Sequence, residues 1–154
     1  MAAKSEVFTN AQVILSTSTA LGTHDVSNLC TQVELVRSYD LLDDTTMGET
    51  AHSRKAGLET ISANMEFVQA YSTAGGQENL DSLLNTLAEI GATGNSFLVA
   101  IAAKNTTISE TNPRYTFLAV LENYTPVGGN IGEILKTTVP FQSGGGSITR
   151  ASSS

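Results

Sequence analysis

Apolar and polar residues alternate with period two over most of this chain, and period two is the signature of β-strands. Two long alternating arms dominate, Thr31–Leu41 and Thr60–Gln69. In the first arm Val33, Leu35, Arg37 and Tyr39 share one face, while Glu34, Val36, Ser38 and Asp40 share the other. The second arm alternates more strictly. Ile61, Ala63, Met65 and Phe67 point one way, and Thr60, Ser62, Asn64 and Glu66 the other. Shorter strands are predicted at Gln12–Leu15, Phe97–Ala103, Tyr115–Tyr124 and Leu135–Phe141. Pro140 suits an edge or terminal position, because it has no N–H to give a ladder. Around 23–28 the chain is polar, with Asp25 or Ser27 placed to cap a short turn.

The period changes once. From about Glu78 to Ile90, Leu80, Leu83, Leu84, Leu87 and Ile90 recur at helical spacing and form one apolar stripe, with Gly91 expected to end the helix. A helix with one apolar stripe packs on a sheet rather than standing alone. The predicted fold is therefore mainly β: an antiparallel β-sandwich or flattened barrel with one flanking α-helix and a long inter-strand loop. Residues 1–11 read as an N-terminal arm, 12–142 as the β domain, and 143–154, after Gly144-Gly145-Gly146, as a flexible glycine- and serine-rich tail.

The segment between the two long arms, about residues 42–59, is polar and far longer than the roughly two to five residues of a hairpin turn. It holds Asp43, Asp44, Met47, Gly48, His52, Arg54, Lys55, Gly57 and Leu58. Such a length calls for a use: chemistry, a ligand or another protein.

Chemistry is poorly supported. His24 and His52 have no second histidine at ligand spacing, and Cys30 is the one cysteine. Asp40, Asp43 and Asp44 lack the alternating ligand pattern of a calcium loop. A Ser53–His52–Asp44 triad would lack a nucleophile elbow, and the glycine runs lack the phosphate-cradle spacing and its lysine. No catalytic, cofactor or metal residue is therefore assigned.

Composition narrows the classes further. With 154 residues, 40% hydrophobic, the chain is long enough for one packed core. A single cysteine excludes an internal disulfide. No apolar run is long enough to span a membrane as a helix, and the N-terminal residues do not read as a signal peptide. The Asn105 and Asn123 sequons are therefore read as chance matches. A net charge of -7, with its basic residues scattered, speaks against a phosphate-gripping surface. It suits a surface past which DNA must slide.

The order of several short motifs carries a resemblance. Asp40-Leu41-Leu42-Asp43-Asp44-Thr45-Thr46-Met47-Gly48-Glu49-Thr50-Ala51 is followed by Arg54-Lys55-Ala56-Gly57-Leu58-Glu59. Downstream come Asn112-Pro113-Arg114-Tyr115, then Glu122-Asn123-Tyr124-Thr125-Pro126-Val127-Gly128-Gly129, Val139-Pro140-Phe141 and Ser147-Ile148-Thr149-Arg150. Over roughly residues 12–150 this resembles the phage major tail tube protein family of long non-contractile, siphovirus-type tails. It departs at Met47, where an aromatic residue is common, and in the triple glycine.

The resemblance implies a non-enzymatic subunit of the virion tail, assembled in the host cytoplasm. Hexameric rings would stack helically into a hollow tube for DNA passage. The tape-measure protein and passing DNA would occupy the lumen without sequence-specific binding, and other tail proteins would meet the tube ends. Inter-subunit contacts would fall to Asp43, Asp44, Met47, Arg54, Lys55 and Leu58. The lumen wall would come from the polar faces of the two arms, Glu34, Ser38 and Asp40 with Thr60, Ser62, Asn64 and Glu66. Other readings stay open here: a capsid decoration protein, a head-tail connector or terminator, a soluble ligand-binding β-barrel, or an enzyme.

Overall fold

The computed structural model describes residues 8–22 and 24–153. Most of the expected N-terminal arm, residues 1–7, lies outside the described residues, as do Thr23 and Ser154. The strands are β1 (Gln12–Ser16), β2 (His24–Asp25), β3 (Cys30–Asp43), β4 (Arg54–Val68), β5 (Phe97–Ala102), β6 (Arg114–Leu121) and β7 (Lys136–Ala151), with one α-helix, α1 (Leu80–Ala92). They form a single seven-stranded sheet in the order β2-β1-β5-β6-β7-β4-β3, antiparallel throughout. The mainly β reading with one flanking helix holds.

Register explains the core. Val13 lies opposite Ile101 and Leu15 opposite Val99. Phe97 lies opposite Ala119 and Val99 opposite Phe117, while Leu121 and Ala63 both face Phe141 and Val139 faces Met65. Side chains at directly opposed positions share a sheet face, so these residues form one apolar face. The helix contributes Leu80, Leu83, Leu84 and Leu87 to the same buried cluster. The sheet curls around that core: Val33 and Leu35 of edge strand β3 line one groove with Ile101, Tyr115 and Ile148. On a flat sheet β3 and β5, four strands apart, would stand roughly 19 Å from each other.

Helix α1 begins where a cap allows it. Asn79 Oδ1 accepts the Ser82 N–H at 3.0 Å, satisfying one of the first-turn donors. The expected stop at Gly91 does not occur. Gly91 stays helical, Thr93 caps the end, and Gly94 takes the left-handed φ of +80° that closes it.

Three expectations about boundaries need correction. The second long arm begins six residues earlier than its apolar alternation showed, at Arg54, and the first runs two residues further, to Asp43, so the inter-strand loop shrinks from about 42–59 to residues 44–53. Leu42 pairs with Lys55 and Asp43 with Arg54; charged, solvent-facing pairs make strand without leaving an apolar rhythm. A bulge between Tyr39 and Leu41 also breaks the register there. Gly57 sits at that bulge, where an added Cβ would come within 3.2 Å of Asp40 Cβ and 3.3 Å of Leu42 Cγ.

The expected C-terminal tail is strand as far as Ala151. Between Leu118 and Thr116 the partner on β7 jumps from Gly145 to Thr149, so the glycines form a bulge inside the ladder. Gly145 and Gly146 have φ of +128° and +75°. At Gly144 the constraint is space: a Cβ would lie 2.3 Å from Ser96 Oγ and 3.2 Å from the Ala119 carbonyl carbon. The Ser96 hydroxyl donates to the Gly144 carbonyl at 2.9 Å. Gly144→Ala is expected to lose about 1–3 kcal/mol, read as a lower urea midpoint at an unchanged m-value.

The third correction concerns β2, which lies in the stretch read as a polar turn. His24 and Asp25 pair with Leu15 and Ile14. The turn that follows is capped as expected, with Asp25 Oδ1 accepting the Ser27 N–H at 3.0 Å.

Candidate functional site

The β3–β4 hairpin outruns its sheet. Strand β4 pairs with β7 only from Ser62 to Val68. Beyond that, Arg37–Asp43 and Arg54–Ile61 make a ribbon of two strands with no third strand beside it among the described residues. An isolated two-stranded ribbon is marginal in water. This one also exposes Tyr39, Leu41, Leu42, Met47 and Leu58, and Met47 is fully exposed at 105%. Apolar side chains clustered on a projecting element mark an interaction surface.

The charges around the tip are largely satisfied within it. Lys55 Nζ lies 2.5 Å from Asp44 Oδ2. The hydroxyl and N–H of Thr45 both donate to Asp43 Oδ1, at 2.5 and 3.0 Å, and hold its carboxyl below the usual carboxylate range. The Asp44 N–H donates to the Ser53 carbonyl at 2.9 Å, and Gly48 turns the chain with φ of +104°. Pairs this exposed contribute little to stability; they shape the tip. Of the six contact candidates, Asp43, Arg54, Lys55 and Leu58 stand in strands and Asp44 and Met47 in the loop, all on this one ribbon.

The candidates for a channel wall also come together. Glu34 opposes Asn64 and Ser38 opposes Thr60. Ser62 and Glu66 continue the row, and Asp40 follows at the bulge. This is the face of β3–β4 turned away from the core, and Thr138, Pro140 and Gln142 of β7 extend it. Glu66 accepts from Thr31 Oγ1 at 2.7 Å and Lys136 Nζ at 3.1 Å. Both bonds hold its carboxyl below the ordinary 4.5, so the stabilisation is present at neutral pH and lost as pH falls through the folded value.

The residues weighed for chemistry stay apart. Among the described residues no three of His, Cys, Asp and Glu gather into a metal-holding group. His24 Nδ1 lies 3.3 Å from Glu78, and His52 Nδ1 3.8 Å from Asp43. Cys30 is half-buried, and burial pushes its thiol up rather than activating it. No described helix is long and apolar enough to cross a membrane.

Sequence reading missed a second exposed apolar surface, in the segment between β6 and β7. Val127, Ile131 and Ile134 are exposed there. Isolated apolar residues among glycines carry no periodicity, so no pattern singles them out. The base of this segment is fixed by Tyr124, whose hydroxyl donates to Asp81 Oδ1 and accepts from Gln69 Nε2, both at 2.6 Å. Burial, then the bond to Asp81, raises the Tyr124 hydroxyl well above its ordinary value. Gln69 Oε1 is already unpartnered, so Tyr124→Phe strips the same buried amide of its remaining side-chain bond. A loss of about 1–3 kcal/mol is expected, with faster amide exchange in residues 122–135 than in β1.

Solved structures share this architecture. A chain of a native gene transfer agent virion superposes with a TM-score of 0.61 at 9% identity, over 90% of this chain and 95% of that one. The SPP1 tail tube gives a TM-score of 0.64 at 8% identity, over 93% and 77%. This chain has the tail-tube fold. A chain from the tail of an empty gene transfer agent particle, refined helically with C6 symmetry, agrees over 97% and 99% with a TM-score of 0.61 at 12% identity. No protein-family model and no curated protein sequence matches the chain. The likeness is one of shape and covers at least nine-tenths of this chain in each of the three.

Proposed function

We propose that this protein is the structural subunit of a virion tail tube, without catalytic activity. Six copies form a ring, and rings stack into a hollow tube through which DNA passes. The observation that carries this reading is the β3–β4 ribbon. It exposes Leu41, Leu42, Met47 and Leu58 on a fold shared with the SPP1 tail tube, and it needs a neighbour to cover it.

Two further features support the reading. Strand β3 is an edge of the sheet along its whole length. Unpaired edges invite pairing with another chain, and a closed ring satisfies them. The outward face bearing Glu34, Asp40, Ser62, Asn64 and Glu66 is polar and partly acidic, so as a channel wall it repels phosphate and lets DNA and a tape-measure protein slide. The N-terminal residues and other tail proteins at the tube ends complete the contacts. Negative-stain microscopy of purified protein at rising concentration tests the proposal: tubes with a regular axial repeat are expected. Closed trimers would point to capsid decoration, and single closed rings that never stack to a connector or terminator.

A further inference from the structure

The two exposed apolar surfaces stand at opposite ends of the same sheet. Strand β4 runs from the ribbon tip at Arg54 to its base at Val68, and Val68 lies opposite Lys136, where the 122–135 segment rejoins the sheet. The Gln69 N–H donates to the Leu135 carbonyl at 2.9 Å, fixing that segment at the base. Fourteen residue steps at roughly 3.3 Å separate the two ends by about 46 Å. One end presents Met47, Leu42 and Leu58, the other Val127, Ile131 and Ile134.

We propose that the ribbon tip of one copy docks on the 126–134 segment of the next copy in the stack. Met47 seats against Val127 and Ile131, and Arg54 pairs with Glu133. This rests on the tube reading and names the acceptor that the reading leaves unassigned. Charge favours it. Lys55 is held by Asp44, whereas Arg54 has no ion-pair partner among the described residues. Among the described residues the Glu133 carboxylate has only Asn130, whose amide donates to it at 3.1 Å. Geometry favours it too. A donor at one end and an acceptor at the other make a head-to-tail contact that repeats without closing, as a growing stack requires. The groove lined by Leu35, Ile101, Tyr115 and Ile148 lies at the tip's own end, where β6 begins, and offers a head-to-head contact instead.

The test uses the 154-residue protein with Cys30, its one cysteine, changed to Ser. Oxidised Met47→Cys/Ile131→Cys protein should give a ladder of cross-linked multimers on a non-reducing gel. Met47→Cys/Tyr115→Cys should give no ladder. In parallel, Arg54→Glu should raise the concentration needed for stacking about 10-fold, and Arg54→Glu/Glu133→Arg should restore it. Cross-linking through Tyr115→Cys rather than Ile131→Cys, or a double reversal that fails to recover, overturns the pairing. If the parent protein still forms tubes, that failure leaves the tube reading standing. A parent protein that forms only closed trimers or rings, and no ladder with either pair, overturns both.

Discussion

Met47→Asp protein is expected to fold to the parent monomer and to fail in tube growth. Met47 is fully exposed at 105%, so its replacement leaves the core untouched. Surface changes of this kind usually shift stability by no more than about 0.5 kcal/mol. In the proposed stack the same side chain is covered. Burying a methionine is worth roughly 1.5–3 kcal/mol, and a carboxylate in its place adds a desolvation cost. Since each 1.4 kcal/mol is about tenfold in an equilibrium constant, the critical concentration should rise at least 10- to 100-fold. Sedimentation measures it, and circular dichroism and the thermal midpoint check the fold. Normal tubes from this variant would remove the ribbon from the assembly contacts.

The opposite separation is expected of Phe141→Ala, which should lose the fold before any contact. Phe141 is fully buried, lies between Ala63 and Leu121, and meets Phe97 edge-to-face with ring centroids 5.7 Å apart. Truncating a buried phenylalanine costs about 3–5 kcal/mol, against a total stability of roughly 5–15 kcal/mol for a domain. Because β7 lies between β4 and β6, the loss loosens the ribbon's base as well as the core. Urea unfolding should show the midpoint fall by about a fifth or more. A change under 1 kcal/mol would mean that the sheet does not close around this residue.

How far the sequence reveals this protein follows from what burial imprints. Ile61, Ala63, Met65 and Phe67 alternate because one face of β4 is core, and the leucine stripe of α1 is visible for the same reason. The ribbon beyond Ile61 has no buried face within the monomer. Its strands therefore read as a polar loop, although Asp43 and Arg54 are paired. The glycines at 144–146 read as a flexible tail because composition cannot distinguish a bulge that needs positive φ from a mobile end. Conversely, the grouping of Glu34, Ser38, Thr60, Ser62, Asn64 and Glu66 on one face was legible, since period two fixes faces without any knowledge of partners. Val127, Ile131 and Ile134 left no trace, because exposed apolar residues outside strand and helix follow neither period.

In the proposed tube the ribbon bridges stacked rings while the polar face of β3–β4 lines the channel. A reconstruction of the assembled tube from electron micrographs tests both halves at once. It should show six-fold rings, Glu34, Ser62 and Asn64 facing the lumen, and the 44–53 tip in contact with the adjoining ring. A strongly basic lumen, those residues on the outer wall, or a tip free in solvent would contradict it.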